Sequence, residues 1–249
     1  MFDSFGTGGL RFHLFGFPVR VDPSFWIVAV LLGLGLQDPA AVAIWVAVVF
    51  VSILAHELGH AFMGRAFGIY GDIELYSMGG VTKWFASRAV LRPTQQIAIS
   101  LAGPCTGLAI GAGVWAAFEA RGWPDVYYWR LTIFELLWVN FGWGLLNLLP
   151  ILPLDGGHVC QSAIHWIRGY RDDGLPLLIS VVFGAAAGVA ALLVGMFWGA
   201  LLALWFTIGS GAALRQQGPL RLRDVPWALL AALVAGAGLL ALMRFTGRI

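Results

Sequence analysis

The chain has 249 residues, of which 59% are hydrophobic and only 11% charged. A soluble globular chain carries about 25% charged residues, and a chain this short exposes much of its surface, so that surface is expected to face lipid. A net charge of +2 spread over scattered basic residues gives no reason for a nucleic-acid partner. Two cysteines, Cys105 and Cys160, cannot make a disulfide framework and read as small buried hydrophobes.

Residues 1–23 hold no apolar run followed by a small-residue cleavage site. They read as an extended lead-in, and insertion falls to the first membrane helix. A helix needs about 20 apolar residues to cross a hydrocarbon core of about 30 Å. Helices are expected near 24–37, 40–66, 94–118, 131–150, 175–195, 197–214 and 226–244. The first is short enough to be re-entrant, which leaves about six to seven spans. Gln37-Asp38-Pro39 separates the first two helices, and Gly218-Pro219 precedes the last. The tight step at Gly195–Gly199 makes a hairpin of the fifth and sixth.

Residues 67–93 are the longest non-apolar stretch, and they are too short for a soluble domain. Asp72-Ile-Glu-Leu-Tyr-Ser and Gly79-Gly80-Val81-Thr82-Lys83-Trp84 alternate in part and predict short, membrane-associated strands. Gly103, Gly107 and Gly111 share one face of the third helix, and Gly64 and Gly68 end the second. That spacing lets helix backbones approach in lipid and is read as packing alone. The fold class is therefore an all-α polytopic membrane protein with a short β-hairpin segment. Its divisions are an extended lead-in (1–23), a membrane core (24–165) and C-terminal transmembrane helices (166–249).

Charge sets the orientation. With the N-terminus inside and all seven segments crossing, 11 basic residues fall inside: Arg11, Arg20, Arg65, Lys83, Arg88, Arg92, Arg168, Arg171, Arg215, Arg221 and Arg223. Arg121, Arg130, Arg244 and Arg248 make 4 outside, so the positive-inside rule selects a cytosolic N-terminus. Trp123, Tyr127, Tyr128 and Trp129 form part of an outer aromatic belt.

Residues 56–60 read His-Glu-Leu-Gly-His. On a helix His56 and His60 are one turn apart on one face, so both imidazoles can reach a single ion. Glu57 is rotated by about 100° and suits a water bound to that ion rather than the ion itself. The motif follows an apolar run, Ala41 to Ala55, and two His and a Glu at membrane depth need pairing, an ion or water. The competing reading is a hydrogen-bonded polar cluster between helices.

A catalytic zinc needs a third protein ligand and an open position. Glu119 and Asp125 fall in the outer loop, and Glu135, near the outer end of the fourth helix, reads as solvated or hydrogen-bonded. Asp155 stands apart, in Asn147-Leu-Leu-Pro-Ile-Leu-Pro-Leu-Asp155-Gly156-Gly157, at the inner end of the fourth helix. Pro150 and Pro153 break helical hydrogen bonding, and the glycine pair permits unusual backbone angles. Such irregular backbone is tolerated in a membrane where it lines a cavity. An ordinary helix end with a solvated Asp is the plainer alternative.

HELGH together with NLLPILPLDGG, both set among apolar helices, resembles the site-2 protease family of intramembrane zinc metalloproteases (M50-type). Gly79-Gly80-Val81, Ala102-Gly103-Pro104 and the lead-in Phe17 to Ser24 resemble further family segments, so the likeness runs from about residue 11 to 165. The resemblance implies one Zn2+ per chain on His56, His60 and Asp155, with Glu57 as the base. Asn147 matches a family asparagine near the substrate carbonyl, although an interhelical hydrogen bond would also account for it. Asn140 reads as packing. The resemblance further implies cleavage of transmembrane segments of other proteins in the lipid bilayer. The strand at Gly79, Gly80 and Val81 would then receive the unwound substrate. Some relatives carry a PDZ domain between the catalytic halves and others a C-terminal CBS domain; neither is expected here, so recognition is expected to rest on the membrane part or on a separate regulatory membrane partner. The expected location is a bacterial plasma membrane with the active-site side cytosolic. Two other classes stay open: an inactive membrane scaffold, and a transporter of metal ions or protons.

Overall fold

The computed structural model describes residues 8–85, 91–217 and 224–246. Gly218-Pro219, Arg88, Arg221, Arg223 and Arg248 lie outside the described residues. The chain forms two compact units, Met1–Leu146 and Asn147–Ile249.

The first unit opens on strands β1 (Leu10–Leu14) and β2 (Phe17–Val21). They are joined by Phe15 and Gly16, both at positive φ (52° and 83°). Two left-handed residues in a row make a turn whose twist matches that of its strands. The expected lead-in is therefore paired chain. Helix α1 (Pro23–Gly33) follows, capped by the Asp22 carboxylate, which accepts the Ser24 N–H at 2.9 Å, with Pro23 in the first turn. A 3-10 turn, Leu34–Leu36, and left-handed Gln37 end it. Helix α2 (Pro39–Ala66) starts by the same device, Asp38 accepting the Ala40 N–H at 3.0 Å. At 28 residues it is about 42 Å long.

Strands β3 (Gly71–Tyr76) and β4 (Gly79–Trp84) complete a four-stranded sheet in the order β1-β2-β3-β4. β2 and β3 run parallel, and the other neighbours are antiparallel. Alternation buries Phe17, Val19, Val21, Ile73 and Leu75 against Ile53, Leu54, Leu58 and Ala61 of α2. The sheet thus packs on the half of α2 that carries the histidines, and β4 lies at its edge.

Helix α3 (Pro93–Arg121) runs against α2. A Cβ on Gly59 would come within 2.6 Å of the Ala102 carbonyl oxygen, so the contact is backbone on backbone. Gly107 adjoins Asn140, and Gly111 adjoins the Phe141 ring, the packing role expected of that stripe. The span expected at 131–150 is instead three consecutive pieces: α4 (Tyr127–Leu137), a π-helical stretch (Trp138–Trp143) and a single turn, α5 (Gly144–Asn147). The wider π turn lets Asn140 reach across. Its Nδ2 donates to Ser52 Oγ on α2 at 3.0 Å and to Leu136 O at 2.8 Å. Glu135, expected to be solvated or hydrogen-bonded, is only 4% exposed, and neither carboxylate oxygen has a hydrogen-bond partner among the described residues. Glu135 and Ile133 are the buried residues of α4, which packs against α2 and α3.

The second unit holds α6 (Asp155–Arg168), α7 (Gly174–Leu193), α8 (Phe197–Gln216) and α9 (Val225–Phe245). α7 and α8 form the expected hairpin, turning at Gly195 with φ 80°. Helix α6 is absent from the sequence expectations because its apolar positions are too few and too short a run to signal a span. Arg168 at its end donates to Asp224 Oδ1 at 2.5 Å, pinning the start of α9. Among the described residues five helices, α2, α3, α7, α8 and α9, are long and apolar enough to cross a membrane. That is fewer than the six to seven expected, because α1 is short and the fourth segment is broken. The protein is an integral membrane protein, mostly helical with one small sheet. Its outward apolar surface, Trp205 and Leu233 for instance, suits lipid contact. Cys105 is exposed on α3 rather than buried, because α3 turns that side outward, and both cysteines are free thiols.

The loop ahead of α6 is held from α7 and α8. The Leu152 N–H donates to Ser180 Oγ at 2.8 Å, and Ser180 Oγ lies 2.7 Å from Ser210 Oγ. Ser180 is 0% exposed. Ser180→Ala strands the Leu152 N–H and is expected to cost about 1–3 kcal/mol of stability, read as a lowered midpoint in thermal unfolding in detergent. An unchanged midpoint would remove this brace from the account.

Candidate metal centre

Three side chains of the first unit converge. His56, Glu57 and His60 lie on the buried face of α2, 9%, 5% and 7% exposed. Each offers a ligand atom within 4.8 Å of the others'. The two imidazoles point their Nε2 atoms at each other, 3.1 Å apart. Two N–H groups cannot face one another at that distance, so at least one Nε2 presents a lone pair. His60 Nδ1 is 2.6 Å from the Ile99 carbonyl oxygen, which can only accept. The proton of His60 therefore sits on Nδ1, and its Nε2 lone pair points into the site. Nitrogens about 2.0–2.1 Å from one tetrahedral ion lie about 3.3 Å apart. The spacing and the donor set fit a metal ion.

Helix α3 makes room for this pair. A Cβ on Gly103 would collide with the His60 ring and come within 2.7 Å of His56 Nε2. Sequence pattern assigned Gly103 to packing alone, and this contact corrects that. The periodicity of small residues is the same whether they face a helix or an imidazole.

Strand β4 supplies the wall beside Glu57. Thr82 Oγ1 donates to Glu57 Oε2 at 2.8 Å, and a Cβ on Gly80 would lie 2.7 Å from Glu57 Oε1. Thr82 was not among the sequence candidates. The available signal was its two-residue spacing from Gly80, which puts both on one face of a strand. Gly79, at φ 119°, closes the β3–β4 turn, and Val81 is registered opposite Glu74. The Tyr76 phenol, half-buried beside the turn, is pushed above its ordinary pKa by burial and then by the nearby Glu57 and Glu74 carboxylates. Glu57 is itself 5% exposed, so its carboxylate is enclosed beside β4.

Asp155 and Asn147 lie in the second unit, Asn147 at the end of α5 and Asp155 in the first turn of α6. Gly156 and Gly157 are not at positive φ, contrary to the angles expected of the pair. Their role is close approach: a Cβ on Gly156 would lie 2.5 Å from the Leu149 oxygen, and one on Gly157 2.6 Å from the Ile151 oxygen. The segment from Leu148 to Leu152 folds tightly over them, so no side chain fits there.

Residues 125–183 match the model of peptidase family M50. The chain resembles the M50, site-2 protease family. Its similarity to sll0528 of Synechocystis sp. is 28% identity over 226 residues, 82% of this chain and 59% of that protein. Rip3 of Mycobacterium tuberculosis is 31% identical over 216 residues, 77% and 52% of the two chains. Zinc metalloprotease MJ0392 of Methanocaldococcus jannaschii is 26% identical over 193 residues, 74% and 53%. This M50-like chain therefore spans between 52% and 59% of the length of these curated relatives. The solved structure of a site-2 protease from Methanocaldococcus jannaschii shares the fold, with TM-score 0.59 and 22% identity over 86% of this chain and 97% of that one.

Gly103→Val places a side chain on both imidazoles. It is expected to lower divalent-metal affinity at least about tenfold while the protein still folds. Metal content after dialysis, beside the circular dichroism of the same sample, checks this, and full retention of metal would contradict the close approach.

Proposed function

We propose that the chain is an intramembrane zinc metalloprotease that hydrolyses peptide bonds within transmembrane segments of other membrane proteins. One zinc ion per chain is held by His56, His60 and Asp155. Glu57 is the general base, and Asn147 donates to the carbonyl oxygen. The observation that carries this reading is the buried pair of Nε2 atoms 3.1 Å apart beside a carboxylate. Imidazole and carboxylate donors suit zinc, and the relative MJ0392 is named a zinc metalloprotease. The tight fold of Leu148 to Leu152 over Gly156 and Gly157 supports Asp155 as the third ligand, because it fixes the backbone that carries the carboxylate.

Bound zinc supplies Lewis acidity, polarising a peptide carbonyl and lowering the pKa of a water. The rest is done by side chains. Glu57 takes a proton from the water as its oxygen bonds to the carbonyl carbon. Glu57 then returns that proton to the leaving amide nitrogen as the C–N bond breaks. The Asn147 amide offers an N–H to the oxygen that gains charge. His60, fixed through Nδ1, loses no orientational freedom in the process.

A helical substrate must unwind, because its amides are closed by their own hydrogen bonds. Gly79, Gly80 and Val81 on edge strand β4 receive the unwound segment as an added strand. This is supported by the lack of any strand beyond β4 among the described residues. The catalytic core is residues 24–165, after the lead-in 1–23 and before the helices of 166–249. The site faces the cytosol of a bacterial plasma membrane, the orientation that keeps most basic residues inside.

Glu57→Gln is expected to keep zinc at the wild-type level and lower cleavage of tagged single-span membrane proteins in detergent by about 10²–10⁴-fold. His56→Ala and Asp155→Ala are each expected to lose zinc and cleavage together, by elemental analysis of the same samples. Cleavage that persists in Glu57→Gln would reject the base assignment and return the scaffold and transporter readings. Val81→Pro is expected to reduce cleavage at unchanged zinc content, and full cleavage would argue against strand addition.

A further inference from the structure

The Glu57 carboxylate lies against β4, with its two oxygens in different surroundings. Oε2 accepts from Thr82 Oγ1 at 2.8 Å, while the Glu57 backbone oxygen is 3.3 Å from the same hydroxyl. Oε1 lies over Gly80, whose absent side chain leaves it room. Thr82 is 9% exposed and Glu57 5%, so solvent does not compete for this bond. An unconstrained carboxylate exchanges its oxygens by rotating about its last, soft torsion. A charge-assisted hydrogen bond in a buried place removes that freedom.

We propose that Thr82 is a positioning residue for the base: its hydroxyl holds Glu57 Oε2, so that Oε1, over Gly80, is the oxygen that receives the proton of the water and returns it to the leaving nitrogen. This rests on the metalloprotease reading above. The proton balance is unchanged, since Thr82 keeps its own proton throughout and only orients the acceptor. The same short strand then serves two ends. One face of β4 holds the base through Thr82 and Gly80, and its free edge offers backbone groups to an added strand. The position of the base and the register of the substrate are set by one piece of backbone, about 3.3 Å per residue.

The test uses the full chain in detergent, as wild type, Thr82→Val, Thr82→Ser and Glu57→Gln. Zinc is quantified in each, and kcat and KM are measured on a tagged single-span protein that the wild type cleaves. Infrared spectra are recorded on metal-free samples labelled with 13C-glutamate. The chain has only four glutamates, Glu57, Glu74, Glu119 and Glu135, so subtraction of the Glu57→Gln spectrum isolates the Glu57 band. Thr82→Val is expected to keep wild-type zinc, to lose about tenfold to a hundredfold in kcat with KM within about twofold, and to shift the Glu57 band. Thr82→Ser is expected to restore both the band and kcat to within about threefold, since it keeps the hydroxyl. An unmoved band in Thr82→Val overturns the proposal whether or not any substrate is cleaved. So does wild-type kcat in Thr82→Val, or a loss that serine does not restore. Glu57→Gln cleaving as well as wild type is a separate result, which removes the metalloprotease reading and with it the role given to Thr82, while a shifted band would still record the hydrogen bond.

Discussion

Helices α2 and α3 approach closely at two glycines, Gly59 on α2 and Gly103 on α3. Gly59 lets the α3 backbone come up to α2, and Gly103 leaves the space into which His56 and His60 project. The Ile99 carbonyl, one turn before Gly103, accepts a hydrogen bond from His60 Nδ1–H. Backbone contact of this kind is how helices associate in lipid, where burial of apolar surface offers little advantage over contact with lipid tails. Here the same contact encloses two imidazoles and sets the tautomer of one. A methyl group at either glycine would separate the helices or displace the rings, and the centre would lose its geometry before the protein lost its fold.

The small sheet makes the other wall. β2 and β3 pack on α2 through alternate apolar residues, and pairing with β3 sets the register of β4. A slip of one residue would turn Thr82 and Gly80 away from Glu57 and bring Val81 and Lys83 towards it. Lys83 instead reaches Glu74 on the opposite face, where Arg20 is also within 3.9 Å. Charge on one side and apolar packing on the other hold the strand in the register the site requires.

Several buried polar groups hold irregular backbone in place. Asn140 joins the π-helical stretch to α2 through Ser52, and Ser180 with Ser210 holds the Leu152 amide ahead of Asp155. In hydrocarbon surroundings an unpaired amide is costly, so these serines and this asparagine specify where irregular backbone can lie. The helices after residue 165, which carry no motif, thereby fix the loop that leads into α6.

Much of this was readable from residue order. The apolar runs announced the membrane helices because a span needs length and little else, and the HELGH spacing announced two imidazoles on one helical face because the α-helix repeats every 3.6 residues. Asp22-Pro23 and Asp38-Pro39 marked helix starts by capping chemistry that is local. Other features depend on residues far apart in the chain. The pairing of β2 with β3 joins segments about 50 residues apart, and neither strand signals its partner. The π-helical stretch of the fourth segment contains Asn140, which reaches Ser52, 88 positions away. Gly103 reads as packing until the imidazoles opposite it are known, and Thr82 reads as an ordinary strand residue until Glu57 lies beside it. Local periodicity and capping are written in neighbouring residues. Which oxygen of a carboxylate is held, and which glycine must stay bare, are decided only when distant backbone is brought together.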